Sequence, residues 1–299
     1  MRFLRVVLLL LWLPQGAPAL EYADTVLSED TVWNGEIVIK GVVYVKKGIT
    51  LHIRPGTVVK FQRIDVDGDG VGDAELRVGG RLLARGTAQA PVVFTSAEEV
   101  PASGDWSYIL LYASTGQNVL EHCRVEYAFS GVQVHHSKAT MKNCLFQHNK
   151  EGVRFGKAWV SILHSRFSNN QVGIRYTRLT EPVRIEANQI EGNAVGLYIV
   201  PVTRNAPSFL SSESVNPAHI IAMNNFVKNV SYNVKVVERG PAVVNMARNW
   251  WGSADPARIE ALIYDGRDDG SGALVVYEPY LTRPASTTFN AAREGGARR

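Results

Sequence analysis

The middle of the chain repeats one pattern of apolar and polar positions about every 21 residues. In each copy an apolar residue precedes a Cys, Ser or Asn, a second apolar residue follows, and a glycine then introduces another apolar run. The glycines of four successive copies are Gly131, Gly152, Gly173 and Gly196. A fifth copy is predicted after an interruption at 201–218, with its phases assigned to Asn225, Val227, Asn229, Asn233 and Val234.

Each repeated glycine is followed by a short run in which apolar and polar residues alternate, as in Val132/Val134 and Val153/Phe155. Alternation with a period of two predicts β-strands. About 21 residues accommodate three short strands and three turns, which is one rung, or complete turn, of a parallel β-solenoid. The repeated glycine is expected to supply a positive φ at a corner of each rung. Repeated asparagines are expected to form ladders of side-chain amides between rungs.

The first third of the chain has similar strand-and-turn units that begin at Gly35, Gly41, Gly48 and Gly56. The chain resembles the right-handed parallel β-helix repeat proteins of the pectin-lyase-like superfamily. The resemblance is carried by these units and by four further stretches: the runs at 43–61 and 86–96, Gly104-Asp105-Trp106, and the Asn-Trp-Trp-Gly run at 249–252. The resemblance covers about residues 30–282 and implies an all-β fold, a single-stranded right-handed parallel β-helix with capped ends, which we predict over residues 20–282. It does not select an activity, because this fold carries lyases, hydrolases, epimerases, adhesins and passive scaffolds.

Both ends of the chain differ from the repeat region. Residues 1–19 join Arg2 and Arg5 to a short apolar core and a small-residue triplet ending at Ala19, which predicts a signal peptide and export to the periplasm or the cell exterior. That core is too short to span a bilayer, so no transmembrane anchor is predicted. Residues 283–299 are predicted to be a disordered basic tail. Residues 20–34 and 249–282 are expected to cap the solenoid, and 201–218 to form a loop beside it.

The chain has a formal net charge of +4, and its 45% of hydrophobic residues excludes a disordered protein. The predicted leader and tail carry much of the positive charge, but residues 122–178 also contain nine Lys or Arg and only two acids. Nucleic acid is not expected as a partner despite this positive charge, because the protein is predicted to be exported. The expected partner is a polysaccharide or another component of the cell envelope, and the protein is expected to be a monomer.

The outward positions of the strands after each glycine are predicted to stack as Gln133, Arg154, Arg175, Tyr198 and Lys235. Rungs about 4.8 Å apart would make this column a basic, partly aromatic ladder on one face. Arg154, Arg175, Tyr198 and Lys235 are therefore candidates for binding a glycan with carboxylate or sulfate groups, the tyrosine as a stacking platform. The alternative interpretation is a solvated face whose charges prevent aggregation.

An acidic loop at 65–75 has carboxylates and glycines at the spacing of a calcium-binding loop. Its candidate ligands are Asp65, Asp67, Asp69, the backbone carbonyl of Val71, and Asp73. The sequence is similar to the calcium loops of thrombospondin-type-3 and dockerin-like repeats, except that Leu76 stands where an EF-hand has a bidentate Glu and Glu75 lies one residue early. We expect a structural Ca²⁺ here, since the loop interrupts the solenoid between Phe61 and Leu76.

A polysaccharide-modifying enzyme, a lyase or epimerase, is the alternative to a binding protein. A lyase of this fold needs acidic residues that present Ca²⁺ to a uronate and a base that abstracts the neighbouring proton. The rungs with Arg154 and Arg175 are nearly free of acids, and the motifs of polygalacturonases do not occur. No catalytic residue is therefore assigned.

Cys123 and Cys144 occupy the same phase of neighbouring rungs. Both a disulfide and a stack of buried thiols remain possible interpretations of this spacing.

Overall fold

The computed structural model describes residues 19–177, 181–200, 219–237, 243–270 and 273–287. They form an all-β solenoid in which each rung contributes a strand to three sheets, called A, B and C here, and neighbouring strands pair in parallel. This confirms the predicted parallel β-helix. Most of the predicted leader (1–18), the insertion at 201–218 and the end of the predicted tail (288–299) lie outside the described residues.

The strands are numbered in chain order. Sheet A contains β1 Leu20–Tyr22, β4 Glu36–Ile39, β7 Val58–Phe61, β10 Val92–Ser96, β13 Cys123–Glu126, β16 Leu145–Gln147, β19 Arg166–Ser168, β22 Gln189–Glu191 and β25 Asn225–Val227. Sheet B contains β2 Thr25–Leu27, β5 Val42–Val45, β8 Glu75–Val78, β11 Trp106–Tyr112, β14 Ala128–His135, β17 Glu151–Gly156, β20 Val172–Thr177, β23 Val195–Val200, β26 Tyr232–Val236 and β28 Ile263–Tyr264. Sheet C contains β3 Thr31–Trp33, β6 Thr50–Ile53, β9 Arg81–Arg85, β12 Gln117–Glu121, β15 Lys138–Lys142, β18 Trp159–Leu163, β21 Val183–Glu186 and β24 Ile220–Ala222.

A small parallel pair, β27 Val243–Asn245 and β29 Leu274–Val276, and two short helices complete the C-terminal end. The helices are α1 Pro256–Glu260 and α2 Gly266–Asp269. Trp251 stacks on Phe226 with ring centroids 5.0 Å apart and thereby covers the last rung of sheet A. Neither helix among the described ranges is long and apolar enough to cross a membrane.

The core is a stack of inward-facing apolar side chains that continues from rung to rung. Phe146 and Phe167 occupy equivalent positions and stack with centroids 4.8 Å apart, and Phe155 lies 4.5 Å from Tyr176 in the same way. All four are essentially inaccessible to solvent. Because each rung buries its apolar side chains against the next, stability comes from contacts between neighbouring rungs.

Two asparagine ladders line the core, as the repeated asparagines predict. In the first, Asn149, Asn170, Asn193 and Asn229 each donate a side-chain hydrogen bond to the carbonyl of a neighbouring rung, and their amides bond to one another at 2.9–3.1 Å. In the second, Asn188, Asn224 and Asn249 do the same at 2.9–3.0 Å. The ladders satisfy buried backbone groups at the turns, where no sheet continues.

The predicted phase of the fifth copy is wrong by one residue at its start. Asn224, rather than Asn225, joins the second ladder, and Phe226, rather than Val227, pairs with Ile190 and is buried. Asn225 faces outward instead, where its side chain bonds to both backbone groups of Ala285. The first residues of the predicted basic tail, 283–287, are therefore placed against sheet A.

The repeated glycines do not have the positive φ that the pattern predicts. Within the repeats the positive values fall at three turn phases and mostly on residues other than glycine: His122, Asn143, His164, Ala187, Met223 and Arg248 in the first, Tyr127, His148, Asn169, Gly192, Lys228 and Gly252 in the second, and Ala113, His136 and Lys157 in the third. Gly152 lies inside β17, where an added Cβ would stand 2.5 Å from the carbonyl oxygen of Gly173 and 3.0 Å from Phe167. Lack of space, not backbone conformation, requires glycine there.

The N-terminal segment 20–34 is not the predicted cap. It does not cover the first rung, because β1, β2 and β3 are themselves the strands of that rung. Cys123 and Cys144 are buried free thiols, whose sulfur atoms lie 3.5 and 3.4 Å from the carbonyl oxygens of Ala84 and Leu120. Burial raises the pKa of the Cys123 thiol, which keeps it protonated.

Candidate functional site

The predicted ladder lies on the outer face of sheet B. Gln133 pairs with Arg154, Arg154 with Arg175, Arg175 with Tyr198, and Tyr198 with Lys235, each on the next rung. The column extends in one direction to Leu110 and Arg77 and in the other to Tyr264. The four candidate glycan-binding residues are thus brought together in the predicted order.

Glu151 joins the two arginines of the ladder, and sequence reasoning did not place it there. Its Oε1 accepts a hydrogen bond from Nη1 of Arg175 at 2.6 Å, and its Oε2 lies 3.9 Å from Nη1 of Arg154. Strict alternation would put positions 151 and 154 on opposite faces of the strand. Gly152 breaks the alternation, since its missing Cβ points toward Phe146 and Phe167 in the core, and Glu151 is therefore on the outer face with Arg154.

The C-terminal half of the ladder is aromatic. The guanidinium of Arg175 lies 5.5 Å from the ring centroid of Tyr198, and the Lys235 ammonium lies 5.9 Å from the same ring. Lys235 is also 5.7 Å from the ring of Tyr232 and 4.9 Å from that of Tyr264. Cation–π contacts of this kind fix both partners. The lysine is therefore held among three tyrosine rings rather than extended into solvent.

The other basic residues of the segment 122–177, the part that the structure describes, are distributed around the solenoid. Arg124 and Arg166 are on the outer face of sheet A, where they form ion pairs with Glu126 at 3.4 Å and Glu191 at 2.5 Å. Lys138 and Lys142 are on sheet C, and Lys150 and Lys157 are at turns. The positive charge of these described residues is therefore not concentrated on one face of the solenoid.

Glu75 and Tyr108 are on the same outer face, on β8 and β11, the two strands of sheet B that precede β14. Glu75 forms an ion pair with Arg77, and its side chain is 3% exposed. Burial raises the pKa of Glu75, against the opposing effects of Arg77 and the Tyr108 hydroxyl. Burial and the neighbouring Glu75 carboxylate likewise raise the pKa of Tyr108. These groups extend the polar surface of sheet B beyond the predicted ladder.

The acidic loop brings together three of its four candidate carboxylates. The ligand oxygens of Asp65, Asp67 and Asp73 all lie within 4.8 Å of one another. Asp69 is not part of this group, and its Oδ1 accepts a hydrogen bond from the backbone of Val71 at 2.7 Å. Glu75 cannot take the place of the missing EF-hand glutamate, because it is on sheet B in an ion pair with Arg77.

Two family models match the chain, and they overlap. Residues 23–142 match the pectate-lyase like beta helix domain, and residues 107–250 match the right handed beta helix region. No curated protein and no solved structure matches the chain. Both matches agree with the three parallel sheets and the ladders between rungs. The chain therefore belongs to the right-handed parallel β-helix repeat proteins, with a pectate-lyase-like fold.

Proposed function

We propose that this protein is exported and binds an anionic glycan along the outer face of sheet B without modifying it, as a carbohydrate-binding or scaffold protein of the cell envelope. One observation carries the proposal: Arg154 and Arg175 stand on neighbouring rungs beside Tyr198, and Glu151 contacts both. Support for export comes from the leader-like residues 1–19.

The spacing of the ladder suits a polymer of regularly spaced acidic groups. Neighbouring rungs are about 4.8 Å apart, so the two guanidinium groups can contact successive anionic groups of a chain that runs along the solenoid axis. Arginine binds carboxylate and sulfate with directed hydrogen bonds. Glu151 restrains both arginines in position, which reduces the entropy lost on binding. Tyr198 adds an apolar ring against which a sugar can pack.

Replacing the two arginines should weaken glycan binding strongly. We expect Arg154→Gln combined with Arg175→Gln to raise the Kd for polygalacturonate or heparin oligomers by about tenfold for each arginine, since a charged hydrogen bond contributes about 1.5–3 kcal/mol. Isothermal titration calorimetry would measure this. Glutamine is preferable to glutamate, because a glutamate at position 175 would face Glu151.

Arg166→Gln is the matched control for this experiment. The Arg166 side chain is 33% exposed and ion-paired, like that of Arg154 at 31%, but it lies on sheet A. The control should leave the Kd unchanged. Equal losses in the control and the double variant, or no binding of either polymer by the unmodified protein, would contradict the proposal.

The alternative function, a polysaccharide lyase, is favoured by one observation: an acid, Glu151, stands between the two arginines. A carboxylate is a chemical type that serves as a general base, and this one is held by ion pairs with both arginines. Incubation with polygalacturonate and measurement of unsaturated-uronate absorbance would decide between the two functions. Absorbance that rises with the unmodified protein and is lost in Glu151→Gln would establish the lyase.

A structural Ca²⁺ in the acidic loop is the second part of the proposal. Ca²⁺ binds oxygens at about 2.3–2.6 Å, so two of its ligands lie at most about 5 Å apart. Asp65, Asp67 and Asp73 meet this limit, and they would hold the ion at the start of β8. The ion would add stability there and take no part in chemistry.

Calcium should therefore raise the melting temperature, by about 5 °C at saturating concentrations. Asp67→Ala should abolish the rise, because it removes one of the three clustered carboxylates. Asp69→Ala is the matched control and should retain most of the rise, since that carboxylate is outside the cluster. Circular dichroism melts with calcium and with a chelator would measure the shift. An identical melting temperature under both conditions would exclude the site.

A further inference from the structure

The first rung of the solenoid is an open edge in the described part of the chain. Its strands β1, β2 and β3 pair with β4, β5 and β6 on one side, and no described strand lies on the other side. Each of the three strands also exposes a large apolar side chain: Leu20 is 51% exposed, Val26 59% and Val32 50%. A strand edge with these properties is a surface that pairs with another extended chain.

The open edge is acidic. Residues 20–39 contain five Asp or Glu and no Lys or Arg. Glu21 forms an ion pair with Lys40 at 2.6 Å, whereas Glu29 is exposed between β2 and β3. Two copies of this edge would bring like charges against one another, so the edge is not expected to pair with itself. A strand that pairs with it should carry positive charge.

The C-terminal tail of the same chain has the complementary charge. Its last twelve residues, 288–299, contain three Arg and one Glu, and they begin with Thr288 and Phe289, which favour strands. The described part of the tail shows where it leaves the solenoid: the backbone of Ala285 bonds to the side chain of Asn225 at 2.8 and 3.0 Å, on the last strand of sheet A. The tail and the open edge are therefore at opposite ends of the solenoid.

The tail is too short to pair with the open edge of its own copy. Sheet A has nine strands, so the outer side of β1 is about 43 Å from β25, at about 4.8 Å for each rung. The fourteen residues after Ala285 span at most about 50 Å when fully extended. About two residues would then be left to pair with an edge strand of three residues. The open edge of a neighbouring copy imposes no such limit.

We propose that the basic tail of one copy, residues 288–299, pairs as an added strand with the acidic open edge of a second copy. Backbone hydrogen bonds extend sheet A beyond β1, and the tail arginines contact the carboxylates of the edge. Because donor and acceptor are different surfaces, each contact leaves another tail and another edge free, and copies join head to tail in an open chain. This association takes the place of the monomer that the sequence predicts.

Of the proposed function, the inference uses only export, which removes the leader that precedes β1. Sedimentation equilibrium of the exported protein at increasing concentration tests it. We expect the weight-average mass to rise above that of the monomer, and deletion of residues 288–299 to abolish the rise. Glu29→Lys should weaken association about fivefold, since it replaces an attraction between exposed charges by a repulsion. Added salt should weaken association as well.

Glu99→Lys is the matched control for Glu29→Lys. Glu99 is also an exposed acid, but it lies in the loop between β10 and β11, away from the first rung. The control should associate like the unmodified protein. Thermal melts would establish that each variant is folded.

A peptide with the sequence of residues 286–299 separates strand pairing from attraction between charges. In excess it should dissociate the assemblies. The same peptide with Phe289→Pro and Asn290→Pro should not, because proline has no N–H to donate while the charge is unchanged. Equal inhibition by both peptides would overturn the added strand.

Three other results would overturn the proposal as a whole. The first is association that survives deletion of the tail, and the second is an equal loss in Glu29→Lys and Glu99→Lys. The third is a protein that remains monomeric up to about 1 mM, the weakest affinity at which such chains would form in a tube. All three leave the glycan Kd unaffected, so the failure of this inference and that of the proposed function are distinguishable.

Discussion

Replacement of Asn193 by alanine is expected to reduce the free energy of unfolding by about 3–5 kcal/mol. The side-chain oxygen of Asn193 accepts from the backbone N–H and the side-chain amide of Asn170, at 3.1 and 2.9 Å. Its amide donates to the carbonyl of Phe167 at 3.0 Å. Alanine would leave these groups buried and unpaired, and each such group costs about 1–3 kcal/mol. Chemical denaturation followed by circular dichroism would measure the loss.

Asn169→Gly is the matched control for this prediction. Asn169 is an exposed asparagine at a turn with φ 57°, a conformation that glycine adopts freely. The control should change stability by less than about 1 kcal/mol. Similar losses for Asn169→Gly and Asn193→Ala would mean that the ladder contributes no more than a surface turn does. Hydrogen exchange would add a second readout, since the loss should be largest in the rungs next to Asn193.

The sequence predicts the solenoid well because its core repeats. Apolar and asparagine positions recur in register, so the pairing of Arg154 with Arg175 and then with Tyr198 follows from counting residues. Counting fails at the fifth copy, since an interruption precedes it and both Asn224 and Asn225 fit the asparagine phase. Only packing decides between them: Phe226 fills the core behind Asn224, and Asn225 binds Ala285 outside.

The candidate site is harder to predict, because it depends on a break in regular alternation. Glu151 and Arg154 share a face only because Gly152 turns toward the core between them. Glu75 and Tyr108 meet because two strands separated by many residues are neighbours in sheet B. In both cases the contact that defines the site lies between rungs, and no local pattern in the sequence reports it.

Substitution by alanine and by asparagine, at Gly152 and at Gly48, tests whether a glycine is required for lack of space or for its backbone conformation. At Gly152 we expect alanine to destabilise the protein by about 1–3 kcal/mol, as overpacking does, because its Cβ would meet the backbone of Gly173 and the ring of Phe167. Asparagine at this position should be worse than alanine, since it is larger. Thermal and chemical denaturation of Gly152→Ala and Gly152→Asn would measure both.

At Gly48 the order of the two substitutions should be reversed. Gly48 has φ +88°, and nothing lies within 4 Å of the position that a Cβ would occupy. Alanine there should cost about 1–2 kcal/mol, the penalty of a left-handed conformation, and asparagine should cost less because it tolerates that conformation better. If asparagine were tolerated better than alanine at Gly152 as well, then the repeated glycines would be required for their backbone conformation. That is the positive φ which their periodicity alone predicts. The opposite order at the two positions would show that the repeated glycine keeps space for the neighbouring rung, and with it the orientation of Glu151 toward the outer face of sheet B.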